Sequence, residues 1–140
     1  WDLLEAYDKS DIDFNLILKM DRISTSEKKF INSLKRKKQI IIKGYYDHLS
    51  DFYKSIDLLV VPSIDEGFGM VVIESLSHFK PVIVRNTVGS SNLVNNKMGF
   101  KFSNVDELIK IFKTIHGDNK IINEKVNYLK SLKLNICENS

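Results

Sequence analysis

Cysteine, proline and glycine are scarce in this chain of 140 residues, and each scarcity excludes a class of protein. The one cysteine, Cys137, has no partner for an internal disulfide, which rules out a disulfide-stapled scaffold and fits a reducing compartment. Two prolines and six glycines are too few for a linker, a collagen-like tract or a low-complexity segment. Residues 1–140 are therefore expected to form one domain. Apolar runs are short, well under the ~18 residues of a membrane-spanning helix. The opening Trp1-Asp2-Leu3-Leu4-Glu5 has neither the basic start nor the apolar middle of a signal peptide. Because Met does not head the chain, we expect it to continue upstream in a longer protein. An excess of one charge is also lacking. The balance of 21 Lys and Arg against 18 Asp and Glu gives +3, too little to argue for nucleic acid. His48, His78 and His116 lack metal-ligand spacing, and no Ser/His/Asp or Cys/His set can be assembled.

What is present is an alternation of short apolar runs with helical patterns. Strands are expected at residues 14–18, 40–42, 58–61, 82–84 and 100–102. Helices are expected at 24–38, capped by Ser24 or Thr25, and at 48–55, 68–78, 105–115 and 120–132. Leu58-Leu59-Val60-Val61 is unbroken in its apolarity and is expected to be covered on both faces. The basic run Lys35-Arg36-Lys37-Lys38 should close the first of these helices and complement its dipole. Asp8, Asp11, Asp13 and Asp21 read as solvated loop acids. Such βαβ alternation implies a parallel sheet with helices on both faces. Ligands in these folds bind beyond the carboxyl ends of the strands, here segments 43–46, 63–69 and 85–91.

The middle segment carries the strongest signal. Glu66-Gly67-Phe68-Gly69-Met70-Val71-Val72-Ile73-Glu74 reads as a tight glycine turn feeding a helix. Free backbone N–H groups at a helix N-terminus make a phosphate site. Two carboxylates with seven residues between them, Glu66 and Glu74, cannot serve the phosphate itself. They suit hydroxyls attached to it, such as those of a sugar and a ribose. Glu66 also suits the helix dipole. Glu74 stands among Val71, Val72, Ile73 and Leu76 and needs donors, because burying an unpaired carboxylate is costly. In the third segment, Gly89, Ser90 and Ser91 offer N–H and hydroxyl donors to a phosphate.

The run from Pro62 through Glu66-Gly67-Phe68-Gly69-Met70 to Glu74-Ser75-Leu76 resembles the nucleotide-sugar signature of the retaining glycosyltransferase family 4, the glycosyl transferases group 1. The resemblance continues without a gap through Pro81-Val82-Ile83-Val84, Val88-Gly89-Ser90-Ser91-Asn92-Leu93-Val94, Asn96-Lys97-Met98-Gly99-Phe100 and Val105-Asp106-Glu107-Leu108. Upstream, Gly44 with Leu49, Tyr53 and Asp57 is similar to a G-x5-L-x3-Y-x3-D pattern, with four residues in place of five between Gly44 and Leu49, and Trp1 to Tyr7 to the first helix of the domain. The resemblance implies an α/β, Rossmann-like doubly wound parallel sheet. It would be the C-terminal, donor-binding half of a GT-B enzyme, with its first strand and its N-terminal acceptor domain missing. The implied reaction moves a sugar from a nucleoside-diphosphate sugar to a hydroxyl acceptor with retention. Glu66 would be the catalytic carboxylate at the donor sugar, Glu74 would accept from the ribose, and Gly67, Phe68, Gly69, Met70, Gly89 and Ser90 would bind the donor. No metal and no cofactor is implied. Partners would be the nucleotide-sugar donor and, through the missing domain, a glycan or lipid-linked acceptor, but not nucleic acid. The parent would be cytoplasmic, with peripheral contact at the inner face of the membrane.

The sequence departs from the family pattern at four places. Val88 replaces a glycine, adding bulk where backbone should approach phosphate. Asn92 replaces a glutamate, and Phe79 stands where the helix-ending glycine is usual, a position that often needs φ > 0. Lys19 and Met20 hold a strand end that is usually glycine-rich. A degenerate nucleotide-sugar-sensing or assembly domain, or another enzyme on the same fold such as an epimerase or phosphorylase, would share this pattern.

Overall fold

The computed structural model describes residues 1–64 and 67–138. In chain order the elements are α1 (Asp2–Ser10), β1 (Leu16–Lys19), α2 (Thr25–Ser33), β2 (Ile40–Lys43), α3 (Leu49–Lys54), β3 (Leu59–Val61), α4 (Met70–Ser77), β4 (Val82–Arg85), β5 (Gly99–Phe102), α5 (Val105–Gly117) and α6 (Lys120–Glu138). Tight 3-10 turns lie at Lys37–Gln39 and Gly89–Leu93. Every strand pairing is parallel, β1 with β2, β3 with β4 and β4 with β5. The expected doubly wound architecture is present, with a helix between most successive strands.

The side chains of β4 divide the core. Ile83 joins a cluster with Leu4 and Tyr7 of α1, Ile31 of α2, Phe102 of β5, and Leu108 and Phe112 of α5. Its neighbours Val82 and Val84 point to the opposite face and pack with Val61, Val72 of α4, Val88 and Val94. This period of two puts a separate apolar layer on each face.

The strands form two sheets. One has the order β1-β2 and the other β3-β4-β5. β1 and β3 are therefore both edge strands. This explains why residues 58–61 are less covered than their apolarity implies. Val61 is buried, but Leu58, Leu59 and Val60 are half-buried, whereas all four residues of β4 are buried.

The first half departs from expectation at the end of α2. The helix stops at Ser33, and Leu34 turns extended (φ −72°, ψ 144°) so that its side chain enters the core. The freed N–H groups of Lys35 and Arg36 then donate to Asp8 Oδ1, at 2.8 and 3.3 Å. The basic run thus follows the helix rather than closing it. The nearby acids are not merely solvated either. Asp11 accepts from the Arg36 guanidinium at 2.8 Å, which holds its carboxyl below the usual range, and Asp13 accepts from Gln39. At the start of α2 the capping box is complete. Ser24 Oγ accepts from Glu27 N–H at 3.2 Å, and Glu27 Oε2 accepts from Ser24 N–H at 2.7 Å.

Candidate functional site

The carboxyl ends of β3 and β4 carry the two loops that the sequence singles out. The β3 loop reaches α4 through Gly69, which stands at φ 72°, ψ 62° as the N-cap residue and supplies no side-chain cap. Only glycine takes that backbone easily. A Cβ there would also lie 2.5 Å from Val88 Cγ1 and 3.1 Å from Ser90 Oγ. Phe68 and Met70 flank this turn and are exposed. Glu66 lies outside the described residues.

The β4 loop clamps the turn. Gly89 N–H donates to Gly67 C=O at 3.0 Å, Ser90 N–H to Phe68 C=O at 2.8 Å, and Ser90 Oγ to Gly69 C=O at 3.1 Å. These are the donors that the sequence offers to a phosphate, and here they fix the glycine turn from behind. Val88 is buried under Gly69 instead of projecting into the ligand space. The N-terminus of α4 is consequently held in place, and among the described residues no side chain caps it.

Glu74 lies on α4 and lines a cavity of about 430 Å³ together with Lys19, Met20, Ser63 and Tyr53. The donor that the sequence left open is the Tyr53 hydroxyl, which donates to Glu74 Oε2 at 3.1 Å and lies 3.3 Å from the Val71 carbonyl. Tyr53 is buried and its ring stacks on His78 at 4.6 Å between centroids. His78 Nδ1 in turn lies 2.7 Å from the Glu74 carbonyl oxygen. One Glu74 oxygen is thus held by α3, and among the described residues no hydrogen bond reaches the other. Burial first, and then the Glu74 carboxylate, raise the Tyr53 phenol above its ordinary value of 10.0.

This arrangement predicts that Tyr53→Phe lowers the stability of the domain by about 1.5–3 kcal/mol, as thermal unfolding would measure, because Glu74 loses a charge-assisted hydrogen bond. The same substitution should flatten the alkaline side of the stability profile. A raised phenol pKa favours the folded state below pH 10, and that advantage is lost as pH rises further.

Arg85 is the basic residue that ends β4. It is 5% exposed and fully engaged. Nε donates to Pro62 C=O at 2.9 Å and Nη1 to Ser103 C=O at 3.1 Å, while Nη2 pairs with Asp2 of α1. It binds strand ends together and is not free for a ligand. Phe79 takes φ 59°, the left-handed value expected where the family pattern has glycine. The backbone bonds confirm the helix stop, with Phe79 N–H to Leu76 C=O at 3.0 Å and Lys80 N–H to Ser75 C=O at 2.9 Å.

A parallel, doubly wound domain with a glycine turn leading into a helix at its strand ends belongs to the Rossmann-like class of folds. The family model "Glycosyl transferases group 1" matches residues 2–130, and the chain belongs to that family. CapJ of Staphylococcus aureus is 31% identical over 90 residues, which are 60% of this chain and 23% of that protein. The UDP-Gal:alpha-D-GlcNAc-diphosphoundecaprenol alpha-1,3-galactosyltransferase of Escherichia coli is 30% identical over 90 residues, 62% of this chain and 23% of that enzyme. The chain thus spans about a quarter of the length of these curated relatives. In fold it is similar to HepE of Anabaena in complex with UDP-glucose, with a TM-score of 0.79 and 20% identity, over 94% of this chain and 39% of that one. The fold is the Rossmann-like C-terminal domain of GT-B glycosyltransferases.

Proposed function

We propose that this domain holds the nucleotide-sugar donor of a retaining glycosyltransferase, which passes the sugar to a hydroxyl of a glycan or lipid-linked acceptor. The observation that carries this reading is the clamped turn Gly67–Gly69 at the open N-terminus of α4, with Glu74 held by Tyr53 further along the same helix. The helix end and its free N–H groups meet the charge that grows on the departing nucleoside diphosphate. Glu74 accepts from the ribose. Glu66 is the carboxylate assigned to the donor-sugar hydroxyls. Gly67, Phe68, Gly69 and Met70 line the diphosphate path, and Gly89 and Ser90 support it from behind. No metal enters this scheme.

In the full-length parent, Glu66→Ala and Glu74→Ala should each lower kcat/KM about tenfold or more. A charge-assisted hydrogen bond worth ~1.5–3 kcal/mol is lost in each case. Unchanged kcat/KM in both variants would overturn the assignment. The 140-residue chain by itself should not transfer sugar, since this reading places the acceptor chemistry in a separate domain. Turnover of UDP-glucose with an acceptor by the purified chain would contradict that.

A second reading has its own observation. The N–H groups of Gly89 and Ser90 are already spent on Gly67 and Phe68, which favours a domain used for assembly rather than donor binding. Titrating the parent with UDP and GDP separates the two, because an assembly domain should bind neither.

A further inference from the structure

The side of β2 that faces away from β1 is an outer edge of the fold. Parallel register with β1, and the bond from Met20 N–H to Lys43 C=O at 2.9 Å, fix which way each residue of β2 turns. Ile41 and Lys43 face β1. Ile42 therefore turns both its N–H and its C=O outward, between the outward C=O of Ile40 and N–H of Gly44. The N–H of Ile40 is already spent on Lys37 C=O in the preceding 3-10 turn. Four backbone groups thus stand in a row, and among the described residues no strand pairs with them. The side chains beside them are apolar. Ile41 and Ile42 point to opposite faces of the sheet and are 40% and 42% exposed. An unpaired edge with exposed β-branched side chains is a template for another strand.

Charge around this edge has one sign. From Lys35 to Tyr46 the chain carries five cations and no acid. Arg36 is paired with Asp11, but among the described residues Lys37, Lys38 and Lys43 form no ion pair. Lys43 stands in register with Lys19, and both are exposed. Like charges directly opposite in a ladder repel.

We propose that the outer edge of β2 is a docking site for an extended acidic segment of a partner protein. The segment adds to the β1-β2 sheet as a third strand. Its backbone meets Ile40, Ile42 and Gly44, its apolar side chains cover Ile41 and Ile42, and its carboxylates face Lys37, Lys38 and Lys43. Backbone bonds supply affinity in this mode of recognition, and the flanking charges select the partner. Lysines beside an edge strand guard it against indiscriminate pairing. A second copy would bring the same three lysines to the same short ladder, and a basic segment would do likewise. Only an acidic strand meets the edge without repulsion. This proposal does not rest on the sugar-transfer reading.

The test titrates the full-length parent with the peptide Asp-Glu-Val-Ile-Val-Glu-Asp and follows hydrogen exchange over residues 39–45. One control is Lys-Lys-Val-Ile-Val-Lys-Lys. The other, Asp-Glu-Val-Pro-Val-Glu-Asp, keeps the charge but lacks the central N–H. The first peptide should bind roughly tenfold tighter than either control and slow exchange at Ile42 and Gly44. Ile42→Pro removes an outward donor without costing a bond to β1, and it should abolish binding. Should that variant fail to fold, Lys38→Glu combined with Lys43→Glu should invert the preference toward the lysine-flanked peptide. No binding of the acidic peptide, equal binding of all three, or an unchanged preference in the charge-reversed variant would overturn the proposal. Binding that leaves Ile42 and Gly44 unprotected would also overturn it, in favour of charge attraction alone. Protection of the peptide-free parent that grows with protein concentration would do so in favour of a second copy.

Discussion

Arg85→Ala should lower the stability of the domain by about 3 kcal/mol and leave the nucleotide affinity of the folded parent nearly unchanged. Sequence position alone argues the opposite. A basic residue at the carboxyl end of a strand, one segment from a glycine turn, is where a diphosphate ligand would be sought. In the structure Arg85 crosses three elements. It ties the end of β3 through Pro62, the end of β5 through Ser103 and the start of α1 through Asp2, and its guanidinium lies 4.9 Å from the centre of the Phe102 ring.

Its loss would have two costs. The carbonyls of half-buried Pro62 and exposed Ser103 lose a charged donor, at about 1.5–3 kcal/mol for a hydrogen bond to a charged group and less where water replaces it. Asp2 loses its partner more cheaply, because 37% of its side chain is exposed and water can replace the cation. A sum near 3 kcal/mol is a large share of the roughly 5–15 kcal/mol that holds a domain together. Thermal unfolding of Arg85→Ala beside Asp2→Asn measures this, with Asp2→Asn expected to cost less than 1 kcal/mol. A normal Tm with weakened UDP binding would mean that Arg85 faces the ligand after all.

The order of elements and the glycine turn were legible in the sequence because both are local. Strand runs such as Val82-Ile83-Val84, the Ser24–Glu27 capping box and the left-handed stop at Phe79 depend on neighbours a few residues away. Pairings across the fold were not legible. Nothing near Glu74 in sequence names Tyr53 as its donor, and nothing near Gly89 says that its N–H will meet Gly67 rather than a phosphate. Asp8 reads as a loop acid until α2 turns away at Leu34 and leaves two N–H groups pointing at it. The sequence likewise marks residues 58–61 as apolar without revealing that β3 has an open edge. That depends on what stands beside the strand, which apolarity cannot specify.

Gly99→Ala should cost 3 kcal/mol or more and lower Tm by about 10 °C. Within the family resemblance Gly99 belongs to a conspicuous Asn-Lys-Met-Gly stretch, and the structure gives it a packing role rather than a ligand. It sits opposite Val82 in the β4–β5 ladder. A Cβ there would fall inside the contact distance of the Val82 carbonyl oxygen, and lie 3.0 Å from the Val82 carbonyl carbon and 3.1 Å from Cγ2. The obstructing atoms are backbone, so no rotamer change can relieve the clash. The strands must part, which strains the bond from Val82 N–H to Met98 C=O, already 3.4 Å long, and loosens Ile83 and Phe102 at the centre of the first core. Gly117→Ala is the matched control, since nothing lies within 4 Å of a Cβ at that helix end. It should leave Tm unchanged or raise it slightly, as alanine is the better helix former. Equal Tm for the two variants would show that β5 can shift to admit a methyl group, and that the two core layers meeting at β4 are less tightly coupled than the close approach at Gly99 implies.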